Sequence, residues 1–254
     1  MTWLGHSTVL IDIDGVRVLT DPVFGERVSP VPFAGPKRFH QTPVTLSQLP
    51  PIDAVLLSHD HFDHLDVPSL RHIGPEATFV TPLGCGKLLR DAGLPNVIEL
   101  DRWQEADVHG LRVRLVPAQH WCMRAPWDRN TRLWGGFVIR GPEGAAYHSG
   151  DTAFFEGFRE IGERLGAIDW AMLPIGAYEP RWFMEPQHMA PEEAVEAAHL
   201  LGARTFVAMH WGTFRLTDEP VAEPPVRARK AYLEKGGAEE RLWILDIGET
   251  RRLG

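Results

Sequence analysis

The chain has 254 residues, with 26 basic and 34 acidic side chains, a formal charge of −8, and 44% hydrophobic residues. That composition is ordinary for a globular protein with one substantial core, and the acidic excess argues against nucleic acid as the main partner. Two cysteines, Cys85 and Cys122, are too few for a disulfide framework and point to a reducing compartment, and the lack of an apolar run of about eighteen residues excludes a spanning helix.

Met1 leads directly into a first strand-like stretch, without the basic start and apolar core of a secretory signal. The spacing then predicts strands over residues 9–13 and 16–20, joined at Asp14-Gly15, a strong signal for a two-residue hairpin turn. Residues 22–51 carry many prolines and read as a long irregular loop, of a length that is usually functional or packed over something. The apolar run 54–58 reads as a buried strand. Directly after it comes His59-Asp60-His61-Phe62-Asp63-His64, three imidazoles and two carboxylates in six residues. His59 and His61 are two apart and project to the same side of an extended chain. Asp63 and His64 follow where the chain turns, so one short segment can feed two adjacent metal positions. Neutral imidazole and carboxylate oxygen suit Zn²⁺ and, less selectively, Fe²⁺ or Mn²⁺. Asp60 reads as a solvent-facing residue or as a support to its neighbours.

Downstream, the pattern predicts a helix over 67–73, a strand over 77–81, a helix over 84–92 and a strand over 96–100. Strands follow over 111–116, 137–140 and 145–149. The second half alternates helix 154–165, strand 170–174, helix 191–201, strand 205–209 and helix 226–235. Pro191 suits the first turn of its helix and Gly202 its end. His120, Asp151 and His210 each follow the end of a predicted strand, as the 59–64 run does, and that is where α/β architectures place their chemistry. The string Tyr178-Glu179-Pro180-Arg181-Trp182-Phe183-Met184 gathers three aromatics, a methionine and an arginine in a loop. It reads either as a hydrophobic plug or as a substrate-channel wall that meets acyl chains, with Arg181 near a phosphate. His6 reads as a packed or a supporting residue, His148 as a packed strand residue, and His40, His72, His109 and His199 as surface. No linker or fixed-period repeat divides the chain, so residues 1–254 read as one domain, and periodicity alone gives one-domain α/β.

The set His59-x-His61-x-Asp63-His64, His120, Asp151 and His210 resembles the metallo-β-lactamase superfamily of binuclear hydrolases. Further strings narrow the resemblance: Thr2-Trp3-Leu4-Gly5-His6-Ser7-Thr8, Gly35-Pro36-Lys37-Arg38-Phe39, Pro117-Ala118-Gln119-His120-Trp121-Cys122, Gly176 to Met184, and His210-Trp211-Gly212-Thr213-Phe214. These are similar to the phospholipase D family that hydrolyses N-acylphosphatidylethanolamine. The resemblance implies a four-layer αββα sandwich with the metal site in a cleft at one edge of the two sheets. It implies two divalent ions, one held by His59, His61 and His120, the other by Asp63, His64 and His210, with Asp151 bridging. Two dications about 3.5–4 Å apart bring the pKa of a shared water toward 7 and give a hydroxide nucleophile, so no serine, cysteine or lysine nucleophile is needed.

The reading assigns catalysis to Asp63, Asp151 and His188. Substrate binding falls to Tyr178, Arg181, Trp182, Phe183, Gln187 and His188, with His188 open between substrate contact, proton delivery and a structural cap. The implied reaction cleaves N-acylphosphatidylethanolamine to N-acylethanolamine and phosphatidic acid. The alternative on the same fold is a lactonase or phosphodiesterase acting on a small soluble substrate. A non-catalytic metal-binding protein would show a broken ligand set, and no position is broken. The expected compartment is the cytoplasm, with peripheral contact at the inner face of the membrane and a homodimer both left open. The related phospholipases carry a longer leader before the first strand, and whether such a segment belongs to this protein bears on membrane attachment.

Overall fold

The structure, a computed structural model, describes residues 1–31 and 33–252. Six strands form the first sheet in chain order: β1 (Thr2–Gly5), β2 (Thr8–Ile13), β3 (Val16–Thr20), β4 (Ala54–Leu56), β5 (Thr78–Pro82) and β6 (Val97–Leu100). Seven more, β7 (Glu105–Val108), β8 (Leu111–Val116), β9 (Gly136–Gly141), β10 (Gly144–His148), β11 (Ile168–Pro174), β12 (Ala203–Met209) and β13 (Leu242–Trp243), form a second sheet whose spatial order is also their sequence order. The helices are α1 (Val67–Ile73), α2 (Gly86–Asp91), α3 (Gly157–Leu165), α4 (Arg181–Met184), α5 (Pro191–Leu200) and α6 (Glu223–Glu234).

Strand alternation decides the layers. Ala54 and Leu56 of β4 face the second sheet and join Val9, Ile11, Val113, Leu115, Phe137 and Ile139 in one inter-sheet core. Val55, Leu57 and Phe79 face the other way and pack on Leu70 of α1 and Leu89 of α2. On the far side, Val138, Tyr147, Ala171 and Leu173 pack on Phe158 and Ile161 of α3, Ala194 and Ala198 of α5, and Ala228 of α6. The result is a four-layer αββα sandwich, as the resemblance implied.

Strand direction then positions the site. β3, β4, β5 and β6 are mutually parallel, and β1 reaches the same direction through two antiparallel pairings. β10, β11, β12 and β13 are parallel, and β8 shares their direction through β9. The residues that leave the C-terminal ends of β1, β3, β4, β8, β10 and β12 are His6, Asp21, the 57–64 run, 117–120, 149–151 and His210. The structure brings them to one edge of the sandwich.

Several elements differ from expectation. β7 was not expected: Glu105 and Asp107 point outward from an edge strand whose charges hide its β character, and it closes on β8 through His109 and Gly110, both at positive φ. β13, only two residues long, gives no pattern to read. The 178–184 string is not all loop, since Arg181–Met184 forms one helical turn. α3 starts at Gly157 rather than at 154, and α6 starts three residues early because Pro224 and Pro225 sit in its first turn, where a missing N–H costs nothing. The long loop holds one 3₁₀ turn, Leu46–Gln48, and is tied down by Arg38, which donates to the Val23 carbonyl (2.6 Å) and stacks on Phe214 (4.7 Å).

Candidate metal centre

Nine potential donor residues gather in two main groups and a third that overlaps both. His59, His61, His120 and Asp151 each offer an atom within 4.8 Å of the others, and so do His6, Asp63, His64 and His210, while His188 joins Asp151 and His210 in the third. Asp151 reaches both groups: its Oδ2 lies 3.9 Å from His59 Nε2, 3.8 Å from His120 Nε2 and 3.1 Å from His64 Nε2, and its Oδ1 lies 3.0 Å from His210 Nε2. Asp63 Oδ2 stands 3.5 Å from His64 Nε2 and 3.7 Å from His210 Nε2. All seven residues named from the sequence as metal ligands meet here, joined by His6, whose Nε2 is 3.0 Å from Asp63 Oδ2.

The hydrogen bonds behind the rings fix which nitrogen faces inward. Ser58 Oγ gives its only proton to Asp21 Oδ2 (2.6 Å), so it accepts from His59 Nδ1–H (2.9 Å) and leaves the His59 Nε2 lone pair bare. His120 Nδ1–H donates to the Gln187 carbonyl (2.9 Å), which bares its Nε2 in the same way. Both bare nitrogens lie close to His61 Nδ1, at 2.8 and 3.3 Å. His64 Nδ1–H donates to Asp21 Oδ2 (2.8 Å) and turns its Nε2 inward. A single proton on His61 Nδ1 is all that could be shared with these two lone pairs, and three imidazole nitrogens converging beside the Asp151 carboxylate suit a cation. The second group gives the same answer: His64 Nε2, His210 Nε2 and Asp151 Oδ1 are buried, and although the Asp151 oxygens lie 3.0–3.1 Å away, none is aligned for a hydrogen bond. Buried imidazole and carboxylate in this arrangement suit divalent ions.

Electrostatics follow the same division. Burial pulls His61 down to about 4 and His120 and His188 to about 3, so these rings are neutral at pH 7. Burial acts the same way on His64 and His210. There the carboxylates win: Asp151, Asp63 and Asp21 hold His64 well above its ordinary value, and Asp151 and Asp63 lift His210 to about 9. Burial would raise Asp63 and Asp151, but the neighbouring histidines, His64 foremost for Asp63 and His210 for Asp151, keep both well below the usual carboxylate range.

Two supports were missed in the sequence. Asp21, fully buried, accepts from Ser58 N (2.7 Å) as well as from Ser58 Oγ and His64. Its only signal was an Asp-Pro pair at a strand end, which reads as a turn. Arg124 donates to the carbonyls of Asp60 (2.7 Å) and Leu65 (2.9 Å) and lies 3.9 Å from the Phe62 ring, bracing the 59–64 run from outside. Asp60 is not solvent-facing: it is fully buried, accepts from Met123 N (3.0 Å) and pairs with Arg132. Gly150 lets the Asp151 turn approach Ser58, since it has φ +59° and a Cβ there would sit 2.4 Å from the Ser58 Cβ.

The residues read as substrate-binding divide. His188 is 3.8 Å from Asp151 Oδ2 with its Nδ1 unpartnered, and the Gln187 carbonyl holds His120. Trp182 and Phe183 are exposed, at 81% and 56%, with ring centres 5.6 Å apart. The structure does not bring Tyr178 to the centre: the ring is buried, its hydroxyl donates to Glu223 (2.8 Å), and Arg227 covers it. Arg181 is occupied by Glu193, at 3.0 Å to each carboxylate oxygen, and by the His188 carbonyl (3.1 Å). A plug therefore describes Tyr178 and the buried Met184, not the two exposed rings. Cys85 and Cys122 are buried free thiols, and no helix among the described residues is long and apolar enough to cross a membrane.

The family model for the beta-lactamase superfamily domain matches residues 16–211. The chain is 39% identical, over 98% of its length, to the N-acyl-phosphatidylethanolamine-hydrolyzing phospholipase D 1 of Caenorhabditis elegans, of which it spans 74%. It is 47% identical, over 89% of its length, to an uncharacterized protein of Mycobacterium tuberculosis, of which it spans 62%. Among solved structures, a metallo hydrolase from the archaeon Ignicoccus hospitalis superposes with a TM-score of 0.72 at 25% identity, covering 98% of this chain and 95% of that one.

Proposed function

The chain belongs to the metallo-β-lactamase superfamily of metal-dependent hydrolases, and from that premise we propose that it is a binuclear phosphodiesterase that cleaves N-acylphosphatidylethanolamine to N-acylethanolamine and phosphatidic acid. The observation that carries the binuclear reading is the two donor groups that share Asp151. The likeness to the worm phospholipase D and the exposed Trp182–Phe183 pair support the lipid. His59, His61 and His120 would hold one divalent ion and Asp63, His64 and His210 the other, with Asp151 reaching both; Zn²⁺ fits these donors, as do Fe²⁺ and Mn²⁺. When bound, such ions supply Lewis acidity that activates water and neutralises charge on a phosphoryl oxygen.

The chain's own groups do the rest. Asp21 and Ser58 orient His64 and His59, the Gln187 carbonyl orients His120, and His6 holds the Asp63 carboxylate. His188 has a free Nδ1 in the same cluster and serves as a hydrogen-bond partner for the bound phosphodiester. Arg181 keeps His188 in place through its backbone carbonyl rather than meeting the phosphate itself. Metal analysis paired with a rate screen tests the whole: two ions per chain with turnover of micellar N-acylphosphatidylethanolamine is the expected result. Two ions with turnover only of lactones or small soluble phosphodiesters would favour the second reading, a hydrolase of soluble substrates. The formal charge of −8, which opposes an anionic bilayer, speaks for that reading.

The two positions should differ in their response to pH. In the metal-free protein His64 and His210 both hold a proton above the ordinary histidine range, His210 until about pH 9, and a cation has to displace them. Affinity at the Asp63–His64–His210 position should therefore rise by about tenfold or more per pH unit from 6.5 toward 9. The His59–His61–His120 position, where His61 and His120 are neutral well below pH 6, should show no such rise over that range. His120→Ala should remove the flat component of a metal titration and His210→Ala the rising one. Loss of the same component in both variants would contradict the division.

Trp182→Ala should leave the melting temperature near that of the parent, because the ring is 81% exposed, while slowing long-chain lipid turnover about tenfold. Hydrolysis of a small soluble phosphodiester should not change. Equal rates on both substrates in the variant and the parent would remove the acyl-contact role.

A further inference from the structure

Arg112, Arg114, Arg140 and Arg164 line one concavity of about 240 Å³, with Glu105 and Val138. It lies on the outer face of the second sheet, since Arg112 and Arg114 alternate with Leu111, Val113 and Leu115 of the inter-sheet core. It is also at the far end from the metal centre. Arg112 is four residues before the end of β8, roughly 14 Å along the strand, and His120 follows four residues beyond that end. The concavity is therefore separate from the hydrolytic site.

The arrangement costs energy unless something negative joins it. Arg112 and Arg140 are directly paired across β8 and β9, and like charges in that position repel. The Arg112 side chain makes no hydrogen bond or ion pair among the described residues. Arg140 uses one nitrogen, Nη2, on the carbonyls of Leu165 (2.7 Å) and Ala167 (3.1 Å), which leaves the rest of its fork free. Arg114 pairs with Glu105 (2.6 Å), yet its Nε is buried without a partner. Arg164 lies over Trp103 (4.5 Å) and pairs with Glu160 (2.7 Å). Asp107 sits across from Arg112 on β7, and its Oδ1 accepts from Gly110 N (3.1 Å) rather than from the guanidinium. Among the described residues no carboxylate forms an ion pair with Arg112 or Arg140.

We propose that this concavity is a second ligand site that binds a phosphate dianion through Arg112, Arg114 and Arg140. Planar guanidinium forks match tetrahedral oxyanions in pairs, and a dianion relieves the Arg112–Arg140 repulsion. The same chemistry is offered by inorganic phosphate, by a soluble phosphomonoester and by the headgroup of a phosphatidic acid surface.

The test uses metal-loaded protein titrated with inorganic phosphate at constant ionic strength set by chloride, with thermal stabilisation as the readout. Arg112→Ser should weaken one saturable component about tenfold and Arg112→Glu should abolish it, with metal content unchanged. The component common to all three proteins belongs to the metal centre. In chloride alone Arg112→Ser should melt at or above the parent, because a repulsion has gone. A lower melting temperature by the same amount in chloride and phosphate would make Arg112 purely structural and overturn the site. A second arm compares sedimentation with phosphatidylcholine vesicles with and without phosphatidic acid. Capture of the parent but not of Arg112→Glu assigns a lipid headgroup, and equal behaviour of both proteins in this arm limits the ligand to soluble phosphate. Identical behaviour of parent and variants in both arms overturns the proposal.

Discussion

Asp151→Asn should reduce hydrolysis by roughly three orders of magnitude or more, the scale of several kcal/mol of transition-state charge stabilisation. Asp151 is 4% exposed, and its oxygens approach both imidazole groups, at 3.9 and 3.8 Å from His59 and His120 and at 3.1 and 3.0 Å from His64 and His210. An amide of the same shape carries no charge to set against two dications. Metal occupancy should fall at both positions together, which mass spectrometry of the native protein reads directly. The metal-free variant should also lose its high-pH proton at His210, because Asp151 is the foremost group raising it. That stability is fully present below the unfolded pKa of about 6.5 and is lost as pH rises through about 9, so parent and variant should differ most in acid and converge above pH 9. Full activity with two ions retained would show Asp151 to be an ordinary strand-end carboxylate.

Asp21→Ala is expected to have the second-largest effect, although Asp21 touches no substrate. The substitution strands the Ser58 N–H and the His64 Nδ1–H in a fully buried site, at about 1–3 kcal/mol for each unsatisfied donor. It also frees Ser58 Oγ and His64 to rotate, so affinity at the Asp63–His64–His210 position should drop by about 10–100-fold. Melting curves with and without metal separate the two losses. A lowered melting temperature with metal affinity intact in the folded fraction would mean that Asp21 holds the chain together and does not tune the ligand.

The donor set was legible in the sequence because each donor follows the end of an apolar run, where a parallel strand delivers it to a shared edge. His120, Asp151 and His210 needed no knowledge of the sheet order to be named. Asp21 needed it: its partners are Ser58 and His64, 37 and 43 positions away, and only the β3–β4 pairing makes them neighbours. His6 depends on a backbone turn with φ 53°, which histidine composition does not announce. The 178–184 string misled in part because aromatic content cannot say which ring faces inward. Tyr178 has Glu223 and Arg227 to meet and goes in, while Trp182 and Phe183 lie on the outer side of a single helical turn. The β7 strand was hidden because its alternation is only four residues long and its inward side carries just Ala106 and Val108, opposite the charged Glu105 and Asp107.

The centre draws on residues 6, 21, 58–64, 120, 151, 188 and 210, so nearly the whole chain has to be threaded before its last imidazole arrives. Contacts between such distant positions are slow to form, because loops of more than a hundred residues close late in folding. A nascent chain whose synthesis has not passed His210 cannot complete the second donor group, whatever the state of its first sheet. Bound ions would then act as ties between the two sheets, resisting their separation much as a cross-link does. Loss of metal should show as faster unfolding, with the rate of folding almost unchanged.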